Sequence, residues 1–406
     1  MDRRELIAGL GGVAASRFIS RFGSVDIPIQ GTAFPRKADF RIAAGHTYIN
    51  AAYTHPMPIV SAAAAQKAAE SRSALGVAPA ARPDVKALFA KLINAKPSEI
   101  AFIPNTSTGE NLVLNGLGIT RFDGNVVTDE LHFDGALVHL MELQRQGLDL
   151  RVVKARDYRI DMSDLERVVN NKTKLVQVSL VAMYNGFQHD LKAVCDLAHA
   201  HGALVYADIV QAAGAVPIDV RATGIDFAAC SSFKWLMGDF GLGFLFASER
   251  AMEHVKRSQW GYHSTSDMTG HFGPFDPESA KTPVSWTLSN DASGKFEVGS
   301  IGGSVQASVA ASLAYIQELG VANIQAHRQP LLEKLREEMP RLGYPVLTPA
   351  GTTSPIITFG TRDGAAVQKK FVAANCNIRV SDYWIRFSPS VYNDMGDVEC
   401  ALGALA

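Results

Sequence analysis

The sequence predicts an α/β fold in which a large domain with a mainly parallel sheet is followed by a smaller α+β domain. Between residues 46 and 300, short apolar runs such as "GNVVTD" and "KLVQVSLV" alternate with helical patterns. Strands separated by helices of about ten to fifteen residues are typical of βαβ units, whose strands are parallel. After residue 300, two long helical patterns precede two strand-like runs, which predicts the smaller domain over residues 301–406.

The elements follow in chain order. The predicted strands of the large domain are "EIAFIP", "GNVVTD", "LDLRVVKA", "KLVQVSLV", "ALVYADI" and "DFAACSS". The helix "DGALVHLMELQRQG" ends in Gly147, and Ser163 is predicted to open the helix "SDLERVVNN" with Glu166 at the capping-box position. A further helix is "DLKAVCDLAHAHG", and the smaller domain contains the helices "SVQASVAASLAYIQELG" and "ANIQAHRQPLLEKLREEMPRLG" and the strands "SPIITFG" and "DYWIRFS".

Composition excludes several classes of partner. The chain has 406 residues, of which 47% are hydrophobic, and a formal net charge of -1, so no global field favours nucleic acid or an anionic membrane. The apolar runs are too short for a membrane span. The four cysteines form no CxxC pair and show no metal-type spacing with histidine, which predicts free, mostly buried thiols and no metal site.

The N-terminus has the layout of an export signal. Adjacent arginines, Arg3 and Arg4, precede a weakly apolar run and small residues in "MDRRELIAGLGGVAAS". This pattern resembles a twin-arginine signal and predicts that residues 1–15 direct the protein to the periplasm. The alternative is an amphipathic arm on a cytoplasmic protein. Residues 16–45 are predicted to be an irregular extension before the large domain of residues 46–300.

The segment "ACSSFKWLMGDFGLGF" sets Lys234 between two aromatic residues. A desolvated lysine has a lowered pKa and becomes a nucleophile or base. Asp208 closes the strand "ALVYAD" 26 residues earlier, so both side chains are expected at strand ends that face one pocket. The pair is either a buried ion pair or the two contacts of a pyridoxal ring. In the second case Lys234 forms a Schiff base with the aldehyde and Asp208 keeps the ring nitrogen protonated.

A phosphate site is predicted where the strand "EIAFIP" runs into a helix. Thr106, Ser107 and Thr108 offer hydroxyls and backbone N–H groups, and the helix is expected to start at about Glu110. Helix N-termini of this kind bind phosphate. An ordinary helix cap would need only one of the three hydroxyls.

Two further residues are candidates for contact with the ring. Phe133, after the strand "NVVTD", could cover its exposed face, although the neighbouring His132 could be the matching residue instead. Gln211, three residues after Asp208, could donate to the ring hydroxyl. Taken alone, Phe133 is expected in the core and Gln211 on the surface.

The order of these segments resembles the class V aminotransferase branch of the fold type I pyridoxal-phosphate enzymes. The similarity runs from about Tyr48 to Asn393 and includes "VYADIVQAAG", "SSFKWL", "FEVGSIG" and "RFSPSVYN". That branch contains cysteine desulfurases, selenocysteine lyases, kynureninases and isopenicillin N epimerases. The resemblance implies a seven-stranded, mainly parallel sheet, pyridoxal 5'-phosphate as cofactor, a homodimer and a small amino-acid-like substrate.

The resemblance also implies roles for particular residues. It assigns Lys234 to the Schiff base, Asp208 to the ring nitrogen and Gln211 to the ring oxygen. Ser231 and Ser300 would bind the phosphate, Ser300 across the dimer interface, and Arg386 would bind the substrate α-carboxylate. The candidate substrate-binding residues are Arg386, Asn50, Tyr53 and His263.

The resemblance leaves the reaction open. Lys234 is expected to act as the base at Cα, followed by transamination, epimerisation or elimination, and His263, Tyr262 and Tyr53 are candidates for a second acid. A desulfurase-type C–S lyase is an alternative, but Cys376 stands only ten residues before Arg386 and is better interpreted as a core thiol. Met183 stands where the family often has asparagine. An alternative from another class is a catalytically silent binding protein.

Overall fold

The computed structural model describes residues 33–76, 84–119, 124–275 and 282–406, and residues 33–406 form one compact unit. The predicted export signal and most of the predicted extension lie outside the described residues. The strands are β1 Thr47–Tyr48, β2 Ile100–Ile103, β3 Asn125–Asp129, β4 Asp149–Val153, β5 Thr173–Ser179, β6 Leu204–Asp208, β7 Phe227–Ser231, β8 Gly243–Ala247, β9 Thr265–Gly270, β10 Val284–Leu288, β11 Ile357–Gly360, β12 Cys376–Asn377, β13 Arg379–Val380 and β14 Trp384–Phe387.

Helices connect most of these strands. They are α1 Ile59–Leu75, α2 Val85–Leu92, α3 Thr106–Leu117, α4 Asp134–Arg145, α5 Met162–Val168, α6 Leu191–Ala200, α7 Val220–Thr223, α8 Glu249–His254, α9 Ala292–Phe296, α10 Gly303–Leu319, α11 Val321–Arg341, α12 Gly364–Ala373 and α13 Met395–Leu405.

A seven-stranded mixed sheet forms the centre of the fold, in the order β2-β8-β7-β6-β5-β3-β4. The pairs β4–β3, β3–β5, β5–β6 and β6–β7 are parallel, whereas β8 runs antiparallel to both β7 and β2. Every residue of β3, β7 and β8 is buried, as expected for strands covered by helices on both faces. The predicted α/β class with a mainly parallel seven-stranded sheet is confirmed. Strand β8 was not predicted from the sequence.

A second, three-stranded antiparallel sheet lies in the C-terminal part, in the order β11-β14-β13. Its core contains buried apolar residues from α11, α12 and α13, together with Ile49 from the N-terminal part of the described chain. That segment joins this core because β1 pairs in parallel with β12. Helix α10, which belongs to the predicted smaller domain, packs against α1, which belongs to the predicted large domain. The predicted domain boundary between residues 300 and 301 therefore stays a prediction.

Two sequence predictions about helix starts are wrong. Helix α3 starts at Thr106 rather than Glu110, because the side chain of Asn105 accepts from the N–H of Thr108 and caps the helix four residues earlier. Helix α5 starts at Met162 after Asp161, so Ser163 lies inside the helix and forms no capping box with Glu166.

The state of the cysteines and the character of the helices agree with what the composition predicts. All four cysteines lie in described segments and are free thiols, three of them buried and Cys400 exposed. Among the described residues, no helix is both long and apolar enough to cross a membrane.

Candidate active site

Polar residues collect where the parallel strands end. Strands β5, β6 and β7 end in Ser179, Asp208 and Ser231, and Ser179 is the register partner of Asp208. Ligands of open α/β sheets bind at this edge. A cavity of about 170 Å³ opens there, lined by Asn105, Thr106, Ser107, Phe133, Ser179, Val181, Met183, Asp208, Val210, Gln211, Ser231, Phe233 and Lys234.

Lys234 presents an amine to this cavity. It follows β7 in a turn, and the next two residues, Trp235 and Leu236, are buried. Desolvation lowers the pKa of Lys234 to about 8, and the charge of Arg386 adds to this shift while Asp208 opposes it. Its Nζ lies 5.7 Å from the centroid of the Phe233 ring. The amine is therefore available as a nucleophile or base near neutral pH.

Asp208 lies on the same cavity wall as Lys234. One carboxylate oxygen, Oδ1, accepts from the N–H of Val210 at 2.8 Å. Burial raises the pKa of Asp208, against the opposing charges of His132 and Lys234. A cationic partner in the cavity would reverse this cost, which suits a protonated ring nitrogen.

The helix N-terminus of α3 faces the same space. The Thr106 and Ser231 hydroxyls lie 2.9 Å apart, and the Thr106 N–H donates to Ser231 at 3.2 Å. Ser107 also lines the cavity, whereas the Thr108 hydroxyl donates to Asn105 at 3.1 Å and does not line it. Two hydroxyls and the positive end of a helix form a site suited to phosphate.

Phe133, and not His132, reaches the cavity. His132 is fully buried behind it, with its ring nitrogens 2.8 Å from Ser179 Oγ and 3.1 Å from Gln177 Nε2. The Ser179 hydroxyl also accepts from the Phe133 N–H. His132 thus supports the strand end, and Phe133 offers an aromatic side chain to the cavity.

Gln211 is buried rather than exposed. Its Nε2 donates to Ala52 O at 3.0 Å, and its Oε1 accepts from the Trp235 indole at 2.8 Å. Its second amide hydrogen remains as a donor for a ligand in the cavity. The bond to Trp235 also couples Gln211 to the turn that carries Lys234.

Arg386, on β14, is buried near this cavity with incomplete hydrogen bonding. Its Nη1 donates to Met183 O at 2.7 Å, while its buried Nε has no partner among the described residues. Burial, together with the charge of Arg379, lowers the pKa of Arg386 to about 10. A buried guanidinium without a carboxylate is costly, so the arrangement suits an anion supplied by a ligand.

The remaining predicted residues do not line the cavity. Asn50 is buried and donates to Asn377 Oδ1 at 3.0 Å, with its own Oδ1 unpartnered among the described residues. Tyr53 is 55% exposed beneath the Arg379 guanidinium. His263 and Ser300 lie 3.4 Å apart, and Ser300 is exposed.

Several lining residues were not predicted from the sequence. Ser179 could have been found, because it ends a strand that was predicted correctly. Asn105 could have been found as the cap preceding Thr106. Val181, Val210 and Phe233 carry no chemical signal and depend on tertiary packing.

The residues present fit pyridoxal 5'-phosphate. The N-terminus of α3 with Thr106 and Ser231 suits the phosphate, and the buried carboxylate of Asp208 suits the ring nitrogen. Phe133 offers a flat face, and Lys234 has no hydrogen-bond or ion-pair partner among the described residues. Each of the groups that this cofactor needs is thus present at one sheet edge.

Comparison with known proteins decides the family. The sequence matches the family model "Aminotransferase class-V" over residues 63–382. The chain belongs to the class-V aminotransferase family. A probable cysteine desulfurase of Methanothermobacter thermautotrophicus is 30% identical over 309 residues, covering 74% of each protein. Membership makes this class-V protein an enzyme that depends on pyridoxal 5'-phosphate.

Solved structures support the fold. The apo cysteine desulfurase of Thermococcus onnurineus has a TM-score of 0.79 at 22% identity, covering 91% of this chain and 97% of that one. A cystine C–S lyase in complex with its product cysteine persulfide has a TM-score of 0.74 at 20% identity, covering 89% and 97%. Both are fold type I enzymes, as this class-V chain is.

Proposed function

We propose that this class-V enzyme is a C–S lyase that eliminates a β-sulfur substituent from an amino acid bearing a free α-carboxylate. The observation that carries the proposal is the make-up of the cavity. Among its described lining residues, Lys234 is the one basic side chain, Asp208 is the one acid, and no cysteine is present. The relatives named as cysteine desulfurases and the fold shared with a cystine C–S lyase support sulfur chemistry.

None of the four cysteines, all of which lie in described segments, lines the cavity. Cys376, in β12, is buried with its Sγ 3.5 Å from that of Cys400, and Cys195 lies buried in α6. Cys230 is buried within β7, where burial raises the pKa of its thiol. Sulfur would therefore leave to solvent and not to a protein thiol.

A second acid–base group for epimerisation is also not found in the described lining. The three candidates are Tyr53, Tyr262 and His263; the two tyrosines are exposed and His263 contacts Ser300. Inversion at Cα needs proton delivery to the opposite face, so one base favours elimination or transamination.

The chain's own residues account for most of the reaction. Arg386 binds the α-carboxylate and orients Cα toward Lys234, since a guanidinium fork fixes both position and plane. Pyridoxal phosphate, which Asp208, Thr106 and Ser231 would hold, would supply an electron sink that makes the α-proton removable. The neutral Lys234 amine takes that proton, the Cβ–S bond breaks, and the thiolate or persulfide leaves. The aminoacrylate remainder is hydrolysed to a keto acid and ammonia.

The test is product analysis of the holoenzyme with cystine, S-alkyl cysteines, cysteine and alanine. We expect keto acid, ammonia and released sulfur in equal amounts from the sulfur substrates and none from alanine. Cys376→Ser should retain this activity and Lys234→Ala should lose it. Keto acid without ammonia would indicate transamination, and sulfur bound to the protein would indicate a desulfurase; either result contradicts the proposal.

The enzyme is further proposed to act as a homodimer. Large apolar side chains are exposed on and beside the β9–β10 hairpin: Trp260, Tyr262, Phe272, Phe275 and Trp286. Exposed patches of this kind mark interaction sites, and Ser300 lies outside its own chain's cavity. Mixing Lys234→Ala with Ser300→Ala subunits tests the arrangement. Recovery of activity above that of either variant would support it, and no recovery would contradict it.

Export through a twin-arginine signal is likewise proposed, from Arg3 and Arg4 and the small residues that follow. Such a route accepts folded, cofactor-loaded proteins, which suits this enzyme. Deletion of residues 1–15 should retain the protein in the cytoplasm on cell fractionation, and an Arg3→Lys/Arg4→Lys variant should do the same. Unchanged fractionation of both would contradict the proposal.

A further inference from the structure

Two arginines lie opposite each other on adjacent strands of the smaller sheet. Strand β13 pairs antiparallel with β14, and Arg379 is the direct register partner of Arg386. Directly opposite residues of antiparallel strands project from the same face with Cβ atoms about 5 Å apart. Like charges in this relation destabilise a sheet, so the pair calls for a compensating group.

The described chain does not supply that group. Neither Arg379 nor Arg386 takes part in a salt bridge among the described residues. Both lie in the hairpin of β13 and β14. Arg386 is 3% exposed and keeps a buried Nε without a partner there. Arg379 is exposed, so one guanidinium is sealed in the protein and the other is open to solvent.

Aromatic side chains hold the two guanidinium groups in place. The Arg379 guanidinium carbon lies 5.5 Å from the centroid of the Tyr53 ring, and that of Arg386 lies 5.8 Å from the centroid of Trp384. Stacking on a ring fixes the plane of a guanidinium and leaves its N–H groups free. Arg386 is also tied to Met183 of the cavity wall. The outer arginine is thus pre-oriented beside the inner one.

We propose that Arg379 binds a second anionic group of the substrate, so that the enzyme acts on diacidic amino-acid derivatives. Arg386 takes the α-carboxylate and Arg379, stacked on Tyr53, takes a distal carboxylate. The inference rests on the proposed function only in assigning the α-carboxylate to Arg386. Arg379 is a specificity-determining residue and takes no part in proton transfer.

The test measures binding without reaction. Calorimetry on the holoenzyme would compare succinate, adipate and suberate with the matched monoacids butyrate, hexanoate and octanoate. We expect at least one diacid to bind about tenfold or more tightly than its monoacid, because two guanidinium groups are engaged. Arg379→Gln should remove this advantage and leave monoacid binding within about twofold, whereas Arg386→Gln should weaken both.

Matched variants keep the outcome interpretable. Arg362→Gln removes an exposed arginine of the same part of the chain and should change neither affinity. Arg379→Lys, which keeps the charge but not the planar fork, should retain part of the diacid advantage. With a turnover substrate, Arg379→Gln should raise KM for a diacidic amino acid without lowering kcat.

Two results would overturn the inference: equal affinity for every diacid and its monoacid, or an equal loss of both on changing Arg379. The second would mean that both arginines hold a single carboxylate. These acids have no amino group and no leaving group, so their binding does not depend on the elimination reaction. Diacid preference without C–S cleavage would count against the proposed function alone.

Discussion

At the scale of single residues, the lowered pKa of Lys234 controls how fast its amine reacts with the cofactor aldehyde, and this rate can be measured directly. Only the neutral amine attacks an aldehyde, and its fraction rises tenfold per pH unit below a pKa of about 8. The rate of cofactor uptake by the apoprotein should therefore rise to about pH 8 and then level off, as measured by stopped-flow absorbance.

Arg386→Gln is the companion variant for this measurement. Its charge contributes to the lowered pKa of Lys234, so its removal should move the plateau to higher pH. A rate that continues to rise to about pH 10 in the wild type would mean that Lys234 has the pKa of an ordinary lysine.

Asp208 provides the second prediction at this scale. Asp208→Asn keeps the shape of the side chain but cannot stabilise a positive ring nitrogen. We expect kcat to fall about 100-fold or more, with cofactor content close to that of the wild type. Asp196→Asn, an exposed change on α6, is the control. Full activity of Asp208→Asn would remove the assigned role.

At the scale of elements, the N-terminus of α3 links stability to cofactor binding. Asn105 caps this helix through the N–H of Thr108 and also lines the cavity. Asn105→Ala should reduce the free energy of unfolding by about 1 kcal/mol and weaken binding of inorganic phosphate and of the cofactor. Asn115→Ala, on the exposed face of the same helix, should do neither; equal behaviour of the two would contradict the prediction.

Helix α11 contains a buried arginine whose cost can be measured. Arg328 is fully buried, its Nε and Nη1 lack partners among the described residues, and its Nη2 donates to Ala215 O. Its guanidinium lies over the Trp235 ring. Arg328→Met should leave the free energy of unfolding unchanged or raise it by up to about 3 kcal/mol in denaturant titrations.

A loss of stability beyond about 1 kcal/mol would show that the ring contact and the single hydrogen bond outweigh desolvation. The variant also reports on function, because Trp235 donates to Gln211 and directly follows Lys234 in the turn beside the cavity. Altered absorbance of the bound cofactor, with stability retained, would identify Arg328 as a positioning residue.

At the scale of the whole molecule, the exposed hairpin predicts the oligomeric state. Trp286 is 56% exposed and Phe272 is 91% exposed. Placing charges there by Trp286→Glu and Phe272→Glu should convert a dimer to monomers in sedimentation experiments, because charge in an apolar interface is costly. Val372→Glu, at a 63% exposed position on α12, should leave the state unchanged. Wild-type protein that sediments as a monomer would contradict the dimer.

Much of the site could be predicted from the sequence because its residues are tied to local signals. Asp208 and Ser231 end apolar strands, and Thr106 follows another strand at a helix start, so the rule that ligands bind at the carboxyl ends of parallel strands places them together. Lys234 is conspicuous as a cation among buried aromatic residues. The family resemblance rests on short motifs at these positions, which are spread over most of the chain.

Other features depended on contacts between distant segments. The sequence did not show that β8 runs antiparallel, that His132 turns away from the cavity while Phe133 enters it, or that Gln211 is held by Trp235 and Ala52. The two helix starts were predicted at the wrong residues because Asn105 and Asp161, which occupy the N-cap positions, have polar neighbours that could also cap a helix.

The sequence by itself determined the α/β class and the strand ends that carry the chemistry, because these follow from local periodicity. It indicated the cofactor type through the resemblance of its short motifs to the class V family. Tertiary structure alone decided that Arg379 stands opposite Arg386 and that Ser300 and His263 do not line their own chain's cavity. The β13–β14 register depends on how the short connection between Val380 and Trp384 turns, and side-chain burial depends on packing between segments far apart in the chain.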